Sequence, residues 1–167
     1  LIAILNYGEY IEKPELIYPQ RSNHLSTHSG EVSFPGGKAD KTDPSLFGTA
    51  LRESNEEMNL RGEDVTELGK LDYLISRHKI EVNPFVASID QPQALKPNEE
   101  IQEIFTVPLS FLLDSKNLER QIIKRQGGVW QVPTWEIKNQ KIWGLTAMIT
   151  VNFLNVCFDA NIEILEA

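Results

Sequence analysis

"RESNEEMNL", residues 52–60, sets four charged side chains, three of them carboxylates, into its first six positions. On a helix turning about 100° per residue, Phe47, Leu51, Ser54 and Met58 fall within an arc of roughly 60°, and Glu53, Glu56 and Glu57 share a neighbouring arc of roughly 100°. One stripe is suited to packing and the next presents carboxylates. At spacings of three and four residues these like charges repel, by a few tenths of a kcal/mol per pair in an isolated helix. A hard divalent cation such as Mg²⁺ or Mn²⁺ reverses the sign, because it takes oxygen ligands and bridges carboxylates to phosphate oxygens. On these residues alone, a solvated acidic helix face is the alternative.

Immediately upstream stands FPGGK, residues 34–38, where Pro35-Gly36-Gly37 reads as a tight turn whose backbone N–H groups can approach a ligand. A glycine turn that opens onto a helix start is a candidate anion site, although Gly-Gly also occurs in ordinary turns. Asp43-Pro44 reads as an N-cap followed by proline at the first helical position, opening a helix to about Met58. Asn59 is then expected to close it in the left-handed conformation. Arg52 either orients one of the neighbouring carboxylates or makes a surface ion pair.

The rest of the chain narrows the possibilities. With 167 residues, 41% hydrophobic and 24% charged, it has the length and composition of one globular domain, expected to span 1–167. No apolar run approaches the roughly 20 residues that cross a bilayer. A formal charge of −8 and a pI near 4.9 argue against nucleic acid as a partner, since phosphate neutralisation needs a basic patch. An acidic protein that handles phosphates needs a cation. The single cysteine, Cys157, lies in the apolar stretch VNFLNVCFDA, which predicts a core position, no intrachain disulfide and a reducing, cytoplasmic compartment. The chain opens at Leu1 with neither a methionine nor a charged-then-apolar leader, so residues upstream of Leu1 are expected.

Short apolar or alternating runs at 2–6, 15–19, 32–34, 68–75, 82–89, 101–107, 129–135 and 141–143 read as strands. A second helix is predicted over 146–159, with Met148, Val151, Leu154 and Phe158 on its apolar stripe, and a short third one over 109–114. Strands, helix, strands, helix in that order predict a mixed sheet with helices on its faces, an α+β or three-layer domain.

From Gly37 to Leu60 the residues resemble the Nudix box, in which Gly and an acidic residue precede Arg-Glu-aliphatic-x-Glu-Glu-x-Gly-aliphatic. Gly37, Asp43 and the stretch from Arg52 to Leu60 fill those positions. Asp43 stands where the pattern has Glu, Ser54 where it has an aliphatic residue and Asn59 where it has Gly, and the gap from Asp43 to Arg52 is one residue longer. No metal-binding carboxylate is lost, and Asn suits a left-handed position better than other non-glycine residues. The longer gap is similar to the coenzyme A diphosphatase branch of the family. That branch carries an upstream Arg-Ser, a short spacer and Gly-Glu-Val-x-Phe-Pro-Gly-Gly, matched by Arg21-Ser22 and by Gly30-Glu31-Val32-Ser33-Phe34-Pro35-Gly36-Gly37. Asn83-Pro84-Phe85-Val86, Val107-Pro108-Leu109 and Ile142-Trp143-Gly144-Leu145-Thr146-Ala147 extend the likeness over nearly the whole chain.

The resemblance implies an α/β/α sandwich with a mixed sheet, and hydrolysis of the pyrophosphate bond of coenzyme A, free or thioesterified, to 3',5'-ADP and 4'-phosphopantetheine. It implies Glu53, Glu56 and Glu57 as ligands of Mg²⁺ or Mn²⁺ and Arg52 as their orienter. Arg21, Ser22, Gly36, Gly37 and Lys38 fall on the substrate side, with Arg21 suited to a phosphate such as the 3'-phosphate. For the general base Glu100 is the candidate, beside Glu99 and Glu103. Glu31 is either near substrate or metal, or in a cross-strand salt bridge. Arg21 and Lys38 have the alternatives of a structural ion pair and an exposed side chain. His24, His28 and His78 lack zinc-ligand spacing and read as loop residues, and Trp143 and Phe85 as core aromatics. The partner is a small diphosphate, with no nucleic acid or membrane, and the protein a monomer or homodimer. Alternatives are a Nudix hydrolase of another nucleoside diphosphate derivative, such as ADP-ribose, and a nucleotide-binding module that does not hydrolyse.

Overall fold

Three strands carry the layering of the domain in their alternation. Successive side chains of a strand point to opposite faces, so β1 (Ile2–Leu5), β2 (Glu15–Arg21) and β6 (Phe85–Ile89) each feed two cores. Ile2, Leu16, Tyr18 and Val86 enter one buried cluster, whereas Ala3, Leu5, Ile17, Ala87 and Ile89 enter another. The first is closed by α3 (Gly144–Phe158) through Ala147, Ile149, Val151, Phe153 and Leu154, and the second by α1 (Leu46–Met58) through Ala50 and Met58. A sheet with one helix on each face is the α/β/α sandwich that the resemblance implied. The computed structural model describes residues 1–25, 27–125 and 128–166; Ser26 of the upstream motif lies outside them.

The sheet runs β3 (Val65–Lys70), β6, β1, β2, β7 (Ile101–Pro108). Parallel pairing of β1 with β6, from Ile2↔Val86 to Leu5↔Ile89, makes it mixed, and the other neighbours are antiparallel. After β7 come α2 (Leu109–Leu113) and a second, antiparallel sheet. Its long strand β9 (Gly128–Ile137) pairs with β8 (Glu119–Arg125), β10 (Gln140–Ile142) and β11 (Leu165–Glu166). Trp135 of β9 is fully buried in the same cluster as α3. A ribbon of β4 (Leu74–Ile75) and β5 (Glu81–Val82) stands apart.

Several expectations change. The run 68–75 divides between β3 and β4, and 82–89 breaks at Asn83-Pro84, where proline has no N–H to offer a ladder. The run 32–34 makes only an isolated bridge, Gln20↔Val32. β8 went unpredicted because Glu119, Arg120, Lys124 and Arg125 dilute its apolar signal.

In α3 the buried set is wider than a stripe: Thr146, Ala147, Ile149, Thr150, Val151, Phe153 and Leu154 are all covered, because the helix packs against both β2 and β9. Thr150 Oγ1 lies 3.0 Å from the Tyr18 hydroxyl and Thr146 donates to the Val32 carbonyl at 2.9 Å, so both of these buried threonine hydroxyls are paired. Cys157, expected in the core, is exposed, as is Phe158 at 41%. The last turn of α3 has left the packed region by that point. Among the described residues no helix is long and apolar enough to cross a membrane.

The two faces of α3 give a stability test. Leu154→Ala removes a side chain with no exposure and is expected to cost about 2–5 kcal/mol in urea unfolding. Val156→Ala, at a position 64% exposed, is expected to shift stability by no more than about 0.5 kcal/mol.

Candidate active site

The carboxylate helix begins two residues later than its sequence suggests. Ser45 is the N-cap, its Oγ accepting the Gly48 N–H at 3.0 Å, and α1 starts at Leu46 instead of Pro44. Asp43 is not free to cap, because its carboxylate receives Arg52 Nε at 2.9 Å, Arg52 Nη2 at 3.2 Å, Thr49 Oγ1 at 2.8 Å and the Asp40 N–H at 2.8 Å. At the other end Asn59 adopts the left-handed conformation its sequence position predicted, with φ 56° and ψ 31°. The Asn59 N–H donates to Asn55 O at 2.8 Å, satisfying a terminal helix carbonyl. Ser54, the polar residue in the packing stripe, is fully buried and donates to the Ala50 carbonyl at 2.6 Å.

Arg52 organises the acidic row. Besides its two-pronged contact with Asp43, Nη1 lies 3.0 Å from Glu53 Oε1 and 3.2 Å from Glu56 Oε1, and Nη2 donates to the Lys38 carbonyl at 3.1 Å. The guanidinium beside Asp43 holds that carboxyl well below the usual carboxylate range, and Asp43 in turn raises the Arg52 pKa. Arg52 thus touches two of the three glutamates, and Lys38 contributes its backbone carbonyl while being exposed.

Each glutamate has a different surrounding. Glu53 faces the glycine turn: a Cβ added to Gly37 would collide with its carboxylate, so the absent side chain is what admits this approach. Glu56 is exposed and lines, with Lys38, Asp40, Thr42, Arg52 and Glu53, a cleft of about 460 Å³. Glu57 is 6% exposed and its Oε2 has no hydrogen-bond partner. Burial pushes its carboxyl up to about 7; Arg21 opposes the rise, and Glu53 and Glu100 add to it. Beyond Lys38 and Ala39 the cleft adjoins a more apolar one of about 570 Å³, walled by Phe34, Gly36, Leu46, Ile80, Phe85 and Leu145.

The donor chemistry fits a hard cation. Three carboxylates share one side of the helix, and a buried carboxylate oxygen without a partner is a group that a cation would satisfy. In the present side-chain arrangement Arg52 draws Glu53 and Glu56 to itself. Among the described residues no three acidic, His or Cys side chains surround one point.

The remaining candidates are placed as follows. Glu100 lies on the loop before β7, with Oε2 3.7 Å from Arg21 Nη2. Ser22 is 6% exposed and donates through Oγ to the Glu99 carbonyl at 3.0 Å. Glu103, on β7, accepts Gln140 Nε2 at 2.9 Å. Glu31 bonds His28 Nδ1 at 2.8 Å, a pair three residues apart and not the cross-strand bridge considered for it. The rings of His28 and His78 meet edge to face at 6.0 Å, and His24 is exposed. Phe85 is buried as expected, whereas Trp143 is half-buried and caps α3. Asn98 was not singled out by its sequence as a site residue. Its N–H donates to the Glu57 carbonyl at 3.1 Å and its Oδ1 accepts the Glu100 N–H at 2.9 Å, tying the two candidate segments together.

A mixed sheet over an acidic helix that sets Glu53 against a glycine turn defines a recognisable class, and the comparisons agree with it. A model of the NUDIX domain matches residues 10–126, and the chain belongs to the Nudix family. Human mitochondrial coenzyme A diphosphatase NUDT8 is 39% identical over 142 residues, covering 82% of this chain and 60% of that protein. The uncharacterized Nudix hydrolase NudL of Yersinia pestis is 40% identical over 138 residues, covering 82% of this chain and 69% of its own length. Among solved structures, a C. elegans Ap4A hydrolase binary complex superposes with TM-score 0.54 at 21% identity, over 65% of this chain and 77% of its own. The M. smegmatis Nudix hydrolase RenU gives 0.54 at 17% identity, over 68% and 70%. These structures share the fold.

Two substitutions examine the site's supports. Asp43→Asn is expected to lower the melting temperature at pH 7. Because folding depresses the Asp43 pKa, the stability it adds is present above the unfolded value of about 4 and is lost as pH falls toward the folded one. The gap between wild type and variant is therefore expected to close below about pH 4, as thermal melts in a pH series would show. Gly37→Ala is expected to displace the Glu53 carboxylate and weaken Mn²⁺ binding by about tenfold, measured by electron paramagnetic resonance, while the protein stays folded.

Proposed function

We propose that this protein hydrolyses the pyrophosphate bond of coenzyme A or its thioesters, with a divalent metal, to 3',5'-ADP and 4'-phosphopantetheine or its acylated form. The observation that carries the proposal is the glycine turn of the Arg21–Gly37 motif set directly against Glu53, in a chain 39% identical to a coenzyme A diphosphatase. Glu53, Glu56 and Glu57 hold Mg²⁺ or Mn²⁺. When bound, such an ion neutralises the diphosphate and increases the acidity of water. Gly36 and Gly37 leave the backbone open to the diphosphate, and the Lys38 ammonium adds positive charge at the same edge of the cleft. Arg52 holds Glu53 and Glu56 in place. Glu100 takes the proton of the attacking water; the water oxygen forms a new bond to phosphorus, and the bridging oxygen leaves with the other phosphate. The single cysteine of these 167 residues fits a cytoplasmic setting, with the protein acting as a monomer or homodimer.

Mass spectrometry of reactions with coenzyme A, ADP-ribose and a diadenosine polyphosphate, each with Mg²⁺ or Mn²⁺, tests this reading. Coenzyme A is expected to give 3',5'-ADP and 4'-phosphopantetheine only with metal. Glu57→Gln is expected to lower kcat by more than about 100-fold, beyond the range of outer ligand supports. Cleavage of ADP-ribose with coenzyme A intact would replace the substrate. Absence of any cleavage would leave a nucleotide-binding module.

A further inference from the structure

The Arg21-Ser22 pair, which its motif assigns to substrate, is turned toward the protein's own loop. At the end of β2 the register shifts between Gln20 and Arg21, and the chain leaves the strand with the Ser22 N–H donating to the Glu100 carbonyl at 2.7 Å. The Ser22 hydroxyl is committed to the Glu99 carbonyl. On its other side the same loop is bound to the end of α1: the N–H groups of Lys96 and Asn98 donate to the Met58 and Glu57 carbonyls at 2.9 and 3.1 Å. Backbone contacts therefore fix Glu57 and Glu100 on two segments that meet beside Arg21.

Their charges do not favour that meeting. Glu57 is almost wholly buried on the segment that Asn98 ties to Glu100, so two carboxylates approach one another there, and Arg21 is the cation that reaches the same loop. The Arg21 side chain is 22% exposed, its Nη2 stands 3.7 Å from Glu100, and its buried Nε has no partner, like the buried Oε2 of Glu57. We propose that Arg21 is a positioning residue, whose guanidinium keeps the Glu57 and Glu100 carboxylates beside one another against their mutual repulsion, and not an anchor for a substrate phosphate. This deepens the proposed function and rests on it for the roles of Glu57 and Glu100. The Arg-Ser motif then acts on coenzyme A through the site's own carboxylates.

The two roles of Arg21 separate by experiment. Mn²⁺ affinity is measured by electron paramagnetic resonance without substrate, and kcat and KM for coenzyme A and for dephospho-coenzyme A, which lacks the 3'-phosphate. Arg21→Ala is expected to weaken Mn²⁺ binding and lower kcat, each by about 10-fold to 100-fold, with both KM values within about threefold of wild type. Arg21→Lys, which keeps the charge, is expected to recover part of both losses. In a Glu100→Gln background the same alanine substitution is expected to cost less, since one of the two carboxylates no longer repels. A KM for coenzyme A raised more than about tenfold, with dephospho-coenzyme A and Mn²⁺ affinity unchanged, would overturn the proposal in favour of a phosphate anchor. If wild type cleaves no coenzyme A, the functional reading fails by itself, and unchanged Mn²⁺ affinity in the Arg21 variants would still overturn the positioning role. Should the alanine variant not fold, Arg21→Lys and Arg21→Gln carry the same Mn²⁺ decision.

Discussion

Crowded negative charge along one side of α1 is the constraint to which the neighbouring structure answers. Glu53, Glu56 and Glu57 cannot spread apart, because helical geometry sets their spacing. Arg52 stands on the same helix and reaches Glu53 and Glu56 while its fork is closed on Asp43. An isolated surface ion pair contributes little, but a two-pronged guanidinium contact to a carboxylate with 6% side-chain exposure also fixes direction. That contact sets the path of the segment leading into the helix, and with it the approach of the glycine turn to Glu53.

The opposite end of the acidic row depends on backbone. Glu57 and Met58 supply carbonyls to the loop at 96–98, and Ser22, directly after β2, donates both its N–H and its hydroxyl to the same loop at Glu100 and Glu99. These bonds join a helix, a loop and a strand that are far apart in the chain. Pairing of β2 with β7 then holds the end of the loop at the sheet, since Arg21 stands opposite Ile101 at the start of β7. The register of the sheet thus fixes the place of a loop carboxylate, Glu100, that belongs to neither strand.

Legibility varied with the range of the interaction involved. Asn59 was readable because a left-handed helix terminus is a property of a few neighbouring residues. The layering was readable because period-two alternation in β1, β2 and β6 needs only the order of residues. β8 was hidden because a strand supported by β9 on one side can carry charged residues. Asp43 read as a cap by local rules, and its true partner is Arg52, nine positions away on the next turns of chain. Cys157 read as core from apolar neighbours, yet helix rotation and the end of packing left it exposed.

By itself the sequence determined the acidic row, the glycine turn before it, the presence of a mixed sheet with helices on its faces, and the family to which all of these belong. Local spacing and composition suffice for such features, because each depends on residues within a turn or a strand of one another. Tertiary structure alone decided that Arg21 faces Glu100, that Ser22 is buried on the Glu99 carbonyl, and that Glu57, of the three glutamates, is the one nearly removed from water. Those placements arise where β2, α1 and the loop before β7 converge. No rule of sequence spacing specifies burial or charge environment at such a point, because both are set by which distant segments the sheet brings together.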